Sequence, residues 1–109
     1  MAVHEFGIMS EDPKKGERFD KYEPWKYGCI RVSDDYIEDI IEKFNDIYFY
    51  RHSVDIPGNG LNYCGITLIP PESIPAFLEV TRDIKGLESL NRLMTEAEKT
   101  KKFVIHYGL

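Results

Sequence analysis

YGCIRVSDDYIEDIIEKFNDIYFYRHSV, Tyr27 to Val54, passes from one periodicity to another and back. Tyr27 to Val32 is a short β-rich run. Ser33 stands where a helix N-cap is needed, with Asp34 and Asp35 beside the positive end of the helix it would open. Ile37, Ile40, Ile41 and Phe44 then recur at i, i+3, i+4 and i+7, the spacing of one buried helical stripe. Ile47 to Val54 is β-rich again, which predicts strand, helix, strand.

Working outward, the pattern continues toward the C-terminus. Leu61 to Ile69 is another β-rich run, and DIPGNG, Asp55 to Gly60, supplies turn residues for a hairpin between it and Ile47–Val54. Pro70 and Pro71 end that strand. Ser73 and Pro75 open a helix with Phe77, Leu78, Thr81 and Ile84 on one side, and Gly86 stops it. Leu87, Leu90, Leu93, Met94 and Ala97 mark the inner side of a further helix, and KFVIHYGL, Lys102 to Leu109, closes as a strand. From Tyr27 the order is βαββαβ with the second helix broken in two, which predicts an α+β, ferredoxin-like split βαβ fold.

Toward the N-terminus, Val3 to Met9 is apolar and aromatic, an additional strand expected at a sheet edge, with Gly7 marking a bulge or a close backbone approach. Ser10 to Lys26 is a long loop with five acids, five bases, Pro13, Gly16 and Pro24. Loops of that length inside a compact domain are usually functional or mobile. Its rings, Phe19, Tyr22 and Trp25, come at every third position.

The chain has 109 residues, 42% hydrophobic and 30% charged. That length fits one α+β domain over 1–109, and that composition lies far from the disordered regime. No run approaches the roughly 18 apolar residues of a membrane span, and the first residues lack a signal-peptide pattern, so a cytoplasmic location is expected. Cys29 and Cys64 lie in strand-like stretches without a CxxC, which reads as two reduced, buried thiols.

Side-chain alternation predicts which sheet face lies under the helices. Ile30, Val32, Cys64, Ile66 and Leu68 are assigned to that side. Tyr27, Cys29, Arg31, Tyr63, Gly65 and Thr67 then fall on the outer face, joined by Tyr48, Tyr50, His52, Phe103, Ile105 and Tyr107. An outer face so apolar requires a cover: nucleic acid, a second subunit or the chain's own loop.

The formal net charge of -5 argues against nucleic acid. Asp34, Asp35, Glu38, Asp39, Glu42 and Asp46, against Lys43 alone, account for all of it and form an acidic ridge suited to a basic partner. His4, His52 and His106 carry neither an HExxH context nor an i, i+4 partner, so no metal site, cofactor or catalytic residue is assigned.

Two functions follow as expectations. The first is a small acidic, non-enzymatic interaction protein, homodimeric through a sheet face or edge and engaging a basic protein in the manner of an inhibitor or immunity-type protein. The second is a small-molecule site, regulatory or enzymatic, between the outer face and the 10–26 loop. Its polar groups would be Tyr27, Arg31, His52 and Tyr63, with Trp25 as a lid.

Overall fold

The computed structural model describes residues 2–109. Its strands are β1 (Val3–Ile8), β2 (Ile30–Ser33), β3 (Tyr48–Arg51), β4 (Ser53–Asn59), β5 (Ile66–Ile69) and β6 (Val104–Tyr107), and its helices are α1 (Asp34–Glu38), α2 (Ile74–Thr81) and α3 (Glu88–Lys99). The strands form one sheet in the order β2-β1-β6-β5-β3-β4. Every neighbouring pair is antiparallel.

The helices cover one face. Phe6, Val32, Phe49, Ile69 and Val104 of the sheet pack there against Ile37, Phe44, Ile74, Phe77, Leu90 and Met94. Phe77 is the hub of this core: its ring centroid lies 4.8 Å from that of Phe44, 6.1 Å from Phe6 and 6.5 Å from Phe49. The contacts with Phe6 and Phe49 are edge-to-face, a geometry that adds to the burial of the rings themselves. On the other face Met9, Ile66, Leu68, Ile105 and Tyr107 form a second cluster, closed by Phe19, Tyr27 and Cys29 from the segment between β1 and β2.

Several local signals act as read. Ser33 Oγ accepts the Asp35 N–H at 3.2 Å and caps α1. Pro75 sits in the first turn of α2, and Gly86 ends the following turn at φ +106°. Leu87, Leu90, Met94 and Ala97 are buried along α3. A Cβ on Gly7 would lie 2.7 Å from both Tyr27 Cβ and Cys29 Sγ, so this glycine permits a close approach of the covering segment.

Other expectations need correction. The first strand is not at an edge: β1 lies between β2 and β6, with His4, Glu5, Phe6 and Gly7 all buried. It also brings a sixth strand's worth of pairing to the centre of the sheet. A split βαβ contains parallel neighbours joined through helices. No such pair occurs among the described residues, so the ferredoxin-like layout is not established, and what stands is an α+β fold with a six-stranded antiparallel sheet.

The expected helix over Ser33 to Asp46 divides into α1 and a 3-10 turn at Ile41–Phe44. Ile40, Lys43, Asn45 and Ile47 each donate to the carbonyl three residues back. Like charges at i, i+4 (Asp35/Asp39, Glu38/Glu42) and three β-branched isoleucines disfavour a regular helix. The apolar stripe survives the break, with Ile37, Ile40 and Phe44 buried.

The DIPGNG hairpin is displaced. His52, at φ +61°, reverses the chain between β3 and β4, and Asp55 to Asn59 extend along β3 as an edge strand rather than a turn. Pro57 is tolerated because it sits on an edge, and Gly58 leaves room for Arg51, whose guanidinium donates to the Asn59 carbonyl at 2.9 Å. β3 still pairs with β5 on its other side.

The faces of β5 are inverted: Ile66 and Leu68 point away from the helices, and Thr67 and Ile69 point beneath them. Alternation could not reveal this, because both faces are covered and all four residues are buried. Tyr63 likewise packs on the helix side.

Candidate functional site

The 10–27 segment is bound to the outer face by backbone and ring. Phe19 N–H donates to the His52 carbonyl at 2.8 Å, and Gly16 N–H donates to Asp55 at 2.6 Å. Phe19 and Tyr27 enter the second apolar cluster. Tyr22 lays its ring edge-on to Tyr107, centroids 5.3 Å apart, and its hydroxyl donates to Glu5. The segment thus covers the face by threading across it.

It leaves a cavity of about 360 Å³ lined by Glu17, Arg18, Phe19, Asp20, Lys21, Glu23, Lys26, Tyr27 and Tyr107. That volume is at the lower end of small-molecule sites. Carboxylates and cations alternate around it: Arg18 is paired with Asp20 at 2.8 Å and Lys26 with Glu23 at 3.1 Å. Burial pushes the Tyr27 and Tyr107 phenols upward, so both are neutral hydrogen-bonding groups at ordinary pH.

A second cavity of about 220 Å³ adjoins it at Asp20 and Tyr107, lined also by Tyr22, His52, Cys64, Gly65, Ile66 and Gly108. His52 is held here at Nδ1. Its Nδ1 lies 3.2 Å from the Phe19 carbonyl and 3.1 Å from Asp20 Oδ1, both acceptors, so Nδ1 carries a proton shared between them.

Of the ligand groups expected from the sequence, Tyr27 and His52 are brought to this face. The others are not. Trp25 is 70% exposed rather than a closed lid. Arg31 is exposed on edge strand β2, and Tyr63 lies through the sheet on the helix side. Cys64, read as buried, is exposed; Cys29 is half-buried, and burial pushes its thiol up to about 12. Both cysteines are free, and no group of three metal-ligating side chains occurs among the described residues.

The acidic ridge keeps five of its six members. Asp35, Glu38, Asp39, Glu42 and Asp46 are exposed, whereas Asp34 turns inward. It ends a buried polar chain that no sequence motif announced. Asn62 N–H donates to Thr67 Oγ1 at 2.9 Å, and Thr67 lies 3.1 Å from His106 Nδ1. His106 Nε2 lies 2.9 Å from His4 Nδ1, and His4 Nε2 is 2.8 Å from Asp34 Oδ1. Tyr63 also donates to Asp34 at 2.6 Å.

An ionised Asp34 only accepts, so both Tyr63 and His4 Nε2 donate to it. Hydrogen bonds from Tyr63 and His4 lower the Asp34 carboxyl, and desolvation with the nearby His4 depresses His106 well below the usual imidazole value. Neither of the two cavities above reaches this chain, and no buried side-chain polar atom among the described residues lacks a partner. Its chemistry is that of a satisfied internal network.

No protein-family model, curated protein or solved structure matches this chain. No helix among the described residues is long and apolar enough to cross a membrane.

Proposed function

We propose that the protein binds a small polar molecule in the cavity between the 10–27 segment and Tyr107, as a regulatory domain or a small enzyme. The observation that supports this reading is the 360 Å³ space itself, lined by cations, carboxylates and two tyrosines. Alternating charges of both signs suit a zwitterionic or otherwise dipolar ligand better than a simple anion. The covering segment also removes the apolar surface that motivated self-association through the sheet face.

Trp25 lies between the lining residues Glu23 and Lys26 and is the chain's one tryptophan. Its fluorescence, with amide chemical shifts of residues 17–27, is followed while amino acids, nucleotides, sugars and small carboxylic acids are titrated. A saturable response that weakens in Lys26→Glu is expected. Shifts that arise only outside residues 17–27 and 107 overturn the assignment.

A second reading retains support from the five exposed carboxylates of the Asp35 to Asp46 stretch, which favour a basic protein partner. Changing Glu38, Asp39 and Glu42 to Lys abolishes the salt-dependent part of such binding. Affinity unaltered across a salt series makes the ridge a solubility feature only.

A further inference from the structure

Glu5 stands on the outer face of β1, flanked in the strand register by Arg31 of β2 and Tyr107 of β6. Its neighbour Phe6 points beneath the helices, so Glu5 points toward the covering segment, and the Tyr22 hydroxyl donates to its Oε1. Glu5 is only 8% exposed, yet it makes no ion pair among the described residues. A carboxylate buried so deeply is ordinarily paired with a positive charge, because removing it from water is costly.

The hydroxyl that occupies Glu5 is easily displaced. Tyr22 is 59% exposed, and residues 20–22 make no backbone hydrogen bond among the described residues, whereas the flanking Phe19 and Lys26 N–H groups are both bonded. Hydrogen bonding to Glu5 raises the Tyr22 phenol, so at ordinary pH it is a neutral donor, which satisfies one oxygen without balancing a charge. The Tyr22 ring rests edge-on against Tyr107, and both rings line the 220 Å³ cavity. A turn of the Tyr22 side chain therefore opens a way from that cavity to Glu5.

We infer that Glu5 is the receptor for a primary ammonium group, reached from the smaller cavity when Tyr22 swings aside, so that the ligand's cation replaces the phenol as partner of the carboxylate. The ligand class is a small primary amine with a short apolar body, which would lie against Tyr22, Tyr107 and Ile66 on the approach. Arg31, exposed on the neighbouring strand and unpaired with Glu5, disfavours a second positive charge on the ligand. None of the charged groups around the larger cavity is used, and the inference stands whether or not that cavity takes a ligand.

The test uses the full chain and n-propylamine at pH 7.5 and constant ionic strength, with n-propanol as the uncharged control, followed by the amide shifts of Glu5, Tyr22 and Tyr107. Saturable binding of the amine, and none of the alcohol over the same range, is expected. Two conservative variants should act in opposite directions. Glu5→Gln keeps an acceptor for the Tyr22 hydroxyl but removes the charge, and weakens the amine about 30-fold. Tyr22→Phe keeps the ring on Tyr107 but removes the competing donor, and strengthens the amine about 5-fold.

Because Tyr22 is exposed, Tyr22→Phe leaves the fold intact and decides the matter by itself where Glu5→Gln does not fold. Amine affinity that falls or stays the same in Tyr22→Phe overturns the inference. So does binding indifferent to Glu5→Gln or no stronger than that of the alcohol. Lys26→Glu, which should weaken a ligand of the larger cavity, leaves the amine's affinity undiminished, so the two sites fail separately.

Discussion

His4 Nδ1 lies 2.9 Å from His106 Nε2, and the two imidazoles stack with centroids 5.1 Å apart at 15°, both wholly buried. One ring comes from β1 and the other from β6, so this contact ties the first strand to the last across the middle of the sheet. Asp34 extends the tie to α1, and Thr67 extends it to β5.

Thr67→Val tests the inner end of this chain. The substitution keeps the shape of the side chain but leaves His106 Nδ1 and the Asn62 N–H without their partner. A buried group stripped of its hydrogen bond costs about 1–3 kcal/mol. The midpoint of urea unfolding should fall by the corresponding amount with an unchanged m-value.

Acid should weaken the fold in two stages of the same sign. The depressed His106 value means that the unfolded chain takes the proton first, so stability is whole above the ordinary imidazole value of 6.5 and declines below it. Asp34 follows: its lowered carboxyl contributes stability above the ordinary value of 3.8, lost as pH falls through its lower folded value. Urea titrations at pH 7.5, 6 and 5 check the first stage, where a single proton limits the slope to about 1.4 kcal/mol per pH unit. Stability that does not change over this range contradicts the assignment.

Gly7→Ala places a methyl 2.7 Å from Tyr27 Cβ and Cys29 Sγ. The added carbon should force β1 and the covering segment apart, at a cost of about 1–3 kcal/mol. Thermal unfolding reads the loss, and maleimide labelling of Cys29, now better exposed, reads the displacement.

Phe19→Ala removes the ring that fixes the middle of the 10–27 segment to the second apolar cluster. Amide exchange should accelerate across residues 16–23 while α2 and α3 retain their protection. Uniform acceleration throughout the chain would mean that the two apolar layers unfold as one unit.

Much of this architecture was legible where one physical signal acted alone. The stripes of α2 and α3, the Ser33 cap and the need for a cover over the ring-rich face all follow from periodicity or local chemistry. The reading failed where tertiary contacts decide. Residues Ile66 to Ile69 are apolar on both sides, so nothing in their order chooses a face. The turn at His52 is held by Phe19 and Asp20, more than thirty residues away in sequence, while the local turn signal lies in the nearby Pro-Gly.

The candidate sites were harder still. His4 and His106 are 102 residues apart, and each looks like an isolated histidine in a strand. Tyr27 and His52 were recognisable as outer-face groups, but Asp20 and Cys64 become relevant only once the segment is laid across the sheet. His52 and Ser53 lie inside the Ile47 to Val54 run, so nothing local announced the reversal.

The pairing of β1 with β6 also bears on how the molecule assembles. β1 can pair with β2 early, but its other side must wait for the last strand, and closing so large a loop is the slow part of building a sheet. During that interval Phe6 and Ile8 lie on an unsatisfied strand edge, which makes β1 the place where a chaperone or a misfolded neighbour would take hold.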